Sequence, residues 1–352
     1  MSVSAPVEAQ APGPRTSSDV ELVRASPLRR WGPWGAGVLV LLGCLVLQSQ
    51  LFSGQERTIT TIFMFVALAQ AWNLIGGFAG YASLGQVVFF GLGGYATAVL
   101  MTHAHTSFWV ALPVSGLVGA AFAALIGVPL LRLKGHYFAI ATLGVAEGMR
   151  EVLTNLPSLT GGGAGITVPT VGKAATTAYL GNDGFYVLFL LLAVGSVAVG
   201  GLVSRSKFGF ALRAINQDED AAGAMGVNTT RDKVLTFALS GFVTGLVGAS
   251  YAFQQVTIFP ERLFDSQITV LMVIMVVLGG SGTVLGPVLG AVGLQFLSEF
   301  LRQNYTTVHT FILGAIIILA VVLLPQGLVS YGRDARRTHE FSLLANVRRY
   351  RL

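Results

Sequence analysis

SRSKFGFALRAINQDEDAAGAMGVNTTRDK, running from Ser204 to Lys233, is the one long charge-rich stretch lying between two strongly apolar runs. Arg205, Lys207, Arg213, Arg231 and Lys233 flank a compact acidic and small-residue sequence, Asn216 to Gly226. The pattern predicts a helix marked at both ends. Asn216 suits an N-cap, and Glu219 stands three residues on, where a capping box places its acid. Asp218 and Glu219 fall where the helix dipole favours anions, and Gly226 supplies the left-handed residue that stops the helix. Such a rod is ~15 Å long. Between the caps, Ala221, Ala222, Ala224 and Met225 give a small apolar knob of the kind that sits in another protein's groove. A plain connector between two membrane helices is the competing reading.

Working outward, the class follows from hydropathy. Apolar residues make up 53% of the 352 and charged residues 11%, and mean hydropathy is +0.70. A soluble domain carries about 25% charged residues, so this chain reads as an all-α integral membrane protein. The net charge of +6 comes from loops, which argues for membrane-surface anchoring by lipid headgroups and against nucleic-acid binding. Cys44 is the sole cysteine, so no intrachain disulfide and no cysteine metal cluster can form. His103 and His105 share a loop that reads as solvated, and the five histidines never make a zinc-protease pattern.

Residues 1–30, rich in Pro, Ser and Ala, read as a disordered tail. Apolar runs follow at 34–52, 58–76, 82–101, 107–131, 136–154, 184–203, 233–254, 266–280, 284–300 and 307–325. Since a helix needs ~20 residues to cross a bilayer, we expect ten spans, with eight or nine as alternatives. Runs 136–154, 266–280 and 284–300 are short or polar and are candidates for broken or buried helices. The expected organisation is one transmembrane domain over 31–330 with an outer segment at 157–183, followed by a basic tail at 331–352. With ten spans, 17 of the 22 Lys and Arg fall on one side, together with both termini and the 204–233 loop. The positive-inside bias therefore puts that side in the cytoplasm.

Forty-four glycines let helix backbones approach closely in a membrane. Small-residue pairs recur at Gly76/Gly80, Gly144/Gly148, Gly241/Gly245, Gly282/Gly286 and Gly286/Gly290. Two clusters ask for more: Asn73 to Gln86, and Leu278 to Pro287. Each sets Gly, Ser or Pro where backbone groups must lose helical partners. A bilayer tolerates that only inside protein or beside a water-filled cavity, and paired breaks in a transporter point toward its substrate pathway. Polar groups within apolar runs near these breaks are the pathway candidates: Asn73, Ser83, Gln86, Thr142, Glu147, Ser281 and Thr283. Glu147 is the ionisable one; pairing with Arg150 at i,i+3 is its alternative reading. There is no Walker A sequence, GxSxG elbow or zinc motif, so neither ATP hydrolysis nor another catalytic activity is expected of this chain.

The motifs carry a resemblance. Asp220-Ala221-Ala222-x-x-x-Gly226 is similar to the EAA loop of ABC-importer permeases, the cytoplasmic helix that fits a cleft on the ATPase subunit. The general pattern ends in Ile-x-Leu-Pro, where this chain has Thr236-Phe-Ala-Leu239. The longer string from Gly209 to Gly241 resembles more narrowly the permeases of branched-chain amino-acid importers, specifically the M-type partner. Segments 73–98, 132–152, 159–169 and 275–291 resemble the same family in the same order, whereas the first 57 residues and the basic tail show no match. The resemblance implies a bacterial inner-membrane subunit with both termini cytoplasmic. It also implies four kinds of partner: a sister permease, two ABC ATPases that bind the ATP, and a periplasmic substrate-binding protein that docks near 157–183. It implies coupling to the ATPases through Arg213, Asn216, Asp218, Glu219, Asp220, Ala221, Ala222, Met225 and Gly226. The substrates it implies are branched-chain amino acids, with urea, short amides or other amino acids in related systems. An ion-gradient-driven transporter or channel is the runner-up, and would need coupling charges in mid-membrane.

Overall fold

A computed structural model describes residues 42–46, 48, 53–169, 177, 179–305, 308–323 and 327–331. All the elements below lie in the unit Leu45–Leu352. The expected disordered tail, most of the first apolar run and the basic C-terminal tail lie outside the described residues. The second to tenth runs each become a helix: α1 Ser53–Asn73, α2 Val87–Thr102, α3 Phe108–Leu130, α4 His136–Thr154, α5 Gly181–Arg205, then, beyond the loop, α8 Thr229–Gln255, α9 Ser266–Gly279, α10 Gly286–Asn304 and α11 His309–Leu323. Two short helices, α6 Lys207–Gln217 and α7 Glu219–Ala224, fill the 204–233 stretch. The chain is a multi-pass α-helical membrane protein. Among the described residues five segments are long and apolar enough to cross a bilayer: 54–78, 108–130, 181–205, 229–255 and 260–279.

α1 and α8 form the interior. The crossing segment of α1 is 78% buried and that of α8 61%, against 33–39% for the other three. α8 packs on α3 and α2, which also pack on one another, while α1 touches α5, α8, α9 and α10. Glycine sets these distances. A Cβ on Gly248 would lie 2.0 Å from the Phe90 carbonyl oxygen of α2, and one on Gly241 2.7 Å from the Ala123 Cβ of α3. At the α9–α10 contact a Cβ on Gly290 would lie 1.8 Å from the Met275 carbonyl oxygen. Gly144 and Gly148 differ, because among the described residues nothing lies within 4 Å of a Cβ at either.

The run expected at 82–101 becomes helical only at Val87. Before it, α1 ends in a π-helical turn, Leu74–Phe78, and residues 79–86 are extended or turn-like. At the far end of α8, strand β1, Ile166–Thr167, pairs antiparallel with β2, Thr257–Ile258. Ile166 and Val168 are buried, and the Tyr179 hydroxyl donates to the Gln254 carbonyl at 3.1 Å. The described part of 157–183 is therefore packed onto the bundle, as its apolar residues require; 170–176 and 178 lie outside the described residues.

Candidate coupling site

The loop is built from three caps in succession. Ser206 Oγ accepts the Gly209 N–H at 3.1 Å and starts α6. Asp218 Oδ1 accepts the N–H groups of Asp220 and Ala221, each at 2.9 Å, and starts α7. Asn228 Oδ1 accepts the Arg231 N–H at 3.1 Å and starts α8. The single rod expected over 216–226 is thus corrected: it is six residues long, ~9 Å, and Asp218 caps it. Asn216 is instead in the last turn of α6, where it donates to the Gly77 carbonyl at 3.2 Å. Asn216 cannot cap α7 because α6 runs one residue beyond it. Gly226, at φ +87°, does end the helix as expected, and the Val227 N–H closes onto the Ala222 carbonyl at 3.1 Å.

α7 has two faces. Ala221, Gly223, Ala224 and Met225 are exposed, Met225 at 86%. Ala222, expected in the knob, is buried because it faces the bundle. Glu219 also turns inward, to the first helical position and not to a capping box. Its Oε1 accepts from Lys233 Nζ at 2.5 Å, and Tyr81 Oη donates a short hydrogen bond to Oε2. The Lys233 side chain is 4% exposed. It also donates to Tyr81 Oη at 3.0 Å and to the Leu131 carbonyl at 2.8 Å, which uses all three ammonium protons. Burial pushes the Glu219 carboxyl up, but hydrogen bonds from Lys233 and Tyr81 outweigh it and hold it below its ordinary range. Outside this anchor, Lys134 Nζ pairs with Asp220 at 3.1 Å across solvent, an exposed contact contributing little. A cleft of roughly 340 Å³ opens beside the anchor, lined by Gly80, Tyr81, Lys134, Asn216, Asp218 and Asp220 among others. Arg213 lies apart on α6; it is exposed, bonds the Ser204 and Gly209 carbonyls and covers the Phe210 ring.

From Tyr81 the extended segment runs inward alongside α8. Its backbone is satisfied by side chains, as irregular chain at membrane depth must be. The Leu84 N–H donates to Thr142 Oγ1 at 3.0 Å, the Val87 N–H to Thr269 Oγ1 at 2.9 Å, and the Ser83 carbonyl accepts Trp72 Nε1–H at 2.7 Å. Gln86, fully buried, donates to Ser240 Oγ at 2.6 Å and Thr244 Oγ1 at 2.9 Å. The two glycine-rich breaks meet: Asn73 Nδ2 donates to the Thr283 carbonyl at 2.9 Å and its Oδ1 accepts the Gly282 N–H at 2.9 Å. Asn73, Ser83, Gln86, Thr142 and Thr283 therefore gather around one broken interior, and the Ser83 hydroxyl and Gln86 Oε1 there have no hydrogen-bond partner among the described residues. Ser281 is exposed beside them. Glu147 stands elsewhere, on α4, bonded to Ser266 Oγ at 3.0 Å and ion-paired with Arg150 at 3.0 Å, the i,i+3 alternative. No group of three His, Cys, Asp or Glu side chains that could hold a metal occurs among the described residues.

Tyr81, Lys233, Ser240, Thr244 and Thr269 escaped the sequence reading. Lys233 carried a usable signal, as a cation one turn inside an apolar helix; Tyr81 did not, since its partner lies 138 residues away.

Residues 55–321 match the family model described as branched-chain amino acid transport system / permease component. Two relatives are each 32% identical, both high-affinity branched-chain amino acid transport system permease proteins LivM. The Salmonella typhimurium protein aligns over 80% of this chain and 71% of its own length, the Escherichia coli K12 protein over 78% and 69%. The E. coli K12 permease protein LivH is 24% identical over 81% of this chain and 96% of its own. No solved structure matches. The chain belongs to the branched-chain amino acid transport permease family.

Proposed function

We propose that this chain is one of two membrane subunits of an ATP-driven importer in the bacterial inner membrane. A sister permease completes the translocation pathway, two ABC ATPases bind and hydrolyse the ATP, and a periplasmic binding protein delivers the solute. The solute is a branched-chain amino acid or a related small polar molecule, such as urea, a short amide or another amino acid. The protein crosses the membrane ten times with both termini in the cytoplasm, in keeping with the lysine and arginine bias. One observation carries the reading: α7 is capped, anchored from beneath, and presents Ala221, Gly223, Ala224 and Met225 outward, with no partner on that face among the described residues. Small exposed side chains on a fixed rod fit a partner's cleft. The pathway runs by the broken interior, where Ser83 and Gln86 keep unfilled hydrogen-bonding capacity for water or solute; Asn73, Thr142, Ser281 and Thr283 frame it, and Glu147 lies toward its outer end.

Reconstitution tests this. Uptake into liposomes holding both permeases is expected to require the ATPases, ATP and the binding protein. Uptake by the permease chain alone, driven by an ion gradient, would establish the secondary-transporter alternative.

A further inference from the structure

We infer that Lys233, Tyr81 and Glu219 are the joint through which displacement of α7 reaches the interior, and so are positioning residues of the transport cycle. This rests on the importer reading. One ammonium group ties together four elements: α7 through Glu219, α8 on which Lys233 sits, the end of α3 through the Leu131 carbonyl, and the extended segment through Tyr81. The Lys233 cation also stands 4.7 Å from the centre of the Tyr81 ring. Five residues on, that segment is bound again to α8, by Gln86 to Ser240 and Thr244. Movement of α7 thus has a direct path to the broken interior, shorter than the covalent route through residues 225–232 and along α8.

The chemistry of the joint favours a mechanical role over a purely stabilising one. A buried ion pair costs desolvation on both partners, and apolar side chains of similar volume hold a core as well or better. What charges add is direction. Each donor of Lys233 has one acceptor, so the four elements keep a fixed register and move as one or not at all. α7 has little else to hold it: Ala222 is its only buried side chain, and the Lys134–Asp220 pair is exposed to water.

The test uses the complete reconstituted importer with Tyr81→Phe, Glu219→Gln and the double variant; Lys233→Met is a harsher fourth. Three quantities are read: ATPase retained on purification, thermal midpoint, and solute moved per ATP hydrolysed. Tyr81→Phe removes one hydroxyl and leaves Lys233 and Glu219 each one partner short, so assembly is expected to be retained with a modestly lowered midpoint, while solute moved per ATP falls about tenfold. The double variant is expected to fall no further than the worse single one, because both break one joint. Unchanged solute per ATP in Tyr81→Phe and Glu219→Gln overturns the inference. So does uptake that falls only in step with lost assembly, at unchanged solute per ATP. Should wild-type uptake itself ignore the ATPases, the importer reading fails first, and that result is distinct from either.

Discussion

At the scale of single residues, the interior depends on what glycine omits. Gly248 and Gly144 share a residue type and a membrane-helix setting, but only the first is pressed against a neighbouring backbone. Gly248→Ala would force α8 off α2, because the obstructing atom is the Phe90 carbonyl and cannot rotate away. Overpacking of this kind costs about 1–3 kcal/mol. A lowered thermal midpoint in detergent is expected for Gly248→Ala and none for Gly144→Ala in the isolated chain; equal midpoints would contradict the packing described. Sequence spacing picks out Gly144 as half of a small-residue pair and does not pick out Gly248. It cannot tell a pair that meets another helix from one facing out, since that depends on how the helix is rotated in the bundle.

At the scale of the element, α7 was legible in part. Its acidic start, its small residues and its terminating Gly226 all stand in the sequence, and so did its place between membrane helices. Its first residue did not, because Asn216 and Asp218 are equally good caps and the tie between them is broken by α6, whose end sits on the Gly77 carbonyl. Glu219 was read as a local capping acid, whereas long-range partners, Tyr81 and Lys233, turn it inward. That difference has a pH consequence. The folded-state pKa of Glu219 is lowered, so its share of the anchoring is fully present above the ordinary carboxylate value of 4.5 and is lost as pH falls below it, through the folded-state value. A spin label at Met225→Cys, with Cys44→Ser to remove the native thiol, is expected to report constant mobility from neutral pH down to that value and rising mobility beneath it. Mobility rising already near neutral pH would show that Glu219 does not hold the rod.

At the scale of the whole molecule, hydropathy identified every apolar helix from α1 to α11 that the structure describes, and missed what joins them. The two glycine-rich breaks were legible as breaks, but their meeting was not: Asn73 reaches Gly282 and Thr283 across 209 and 210 residues. Both breaks, the Leu131 end of α3, Lys134 and the three-cap loop gather at one end of the bundle, and β1 with β2 lies at the other. On the ten-span arrangement we propose, 17 of 22 Lys and Arg fall on the loop's side, and this bias is the reason for proposing that the crowded end faces the cytoplasm. The importer reading proposed above then requires a separate ATPase at that end, since the chain has no Walker A sequence. The Met225→Cys, Cys44→Ser chain, assembled with its partners and treated with a short thiol cross-linker, tests this directly. The expected product joins this chain to an ATPase subunit, with a yield that changes when ATP is bound. A Met225 thiol that stays free in the assembled complex, or that reacts with a membrane-impermeant reagent from the periplasmic side, would contradict the account.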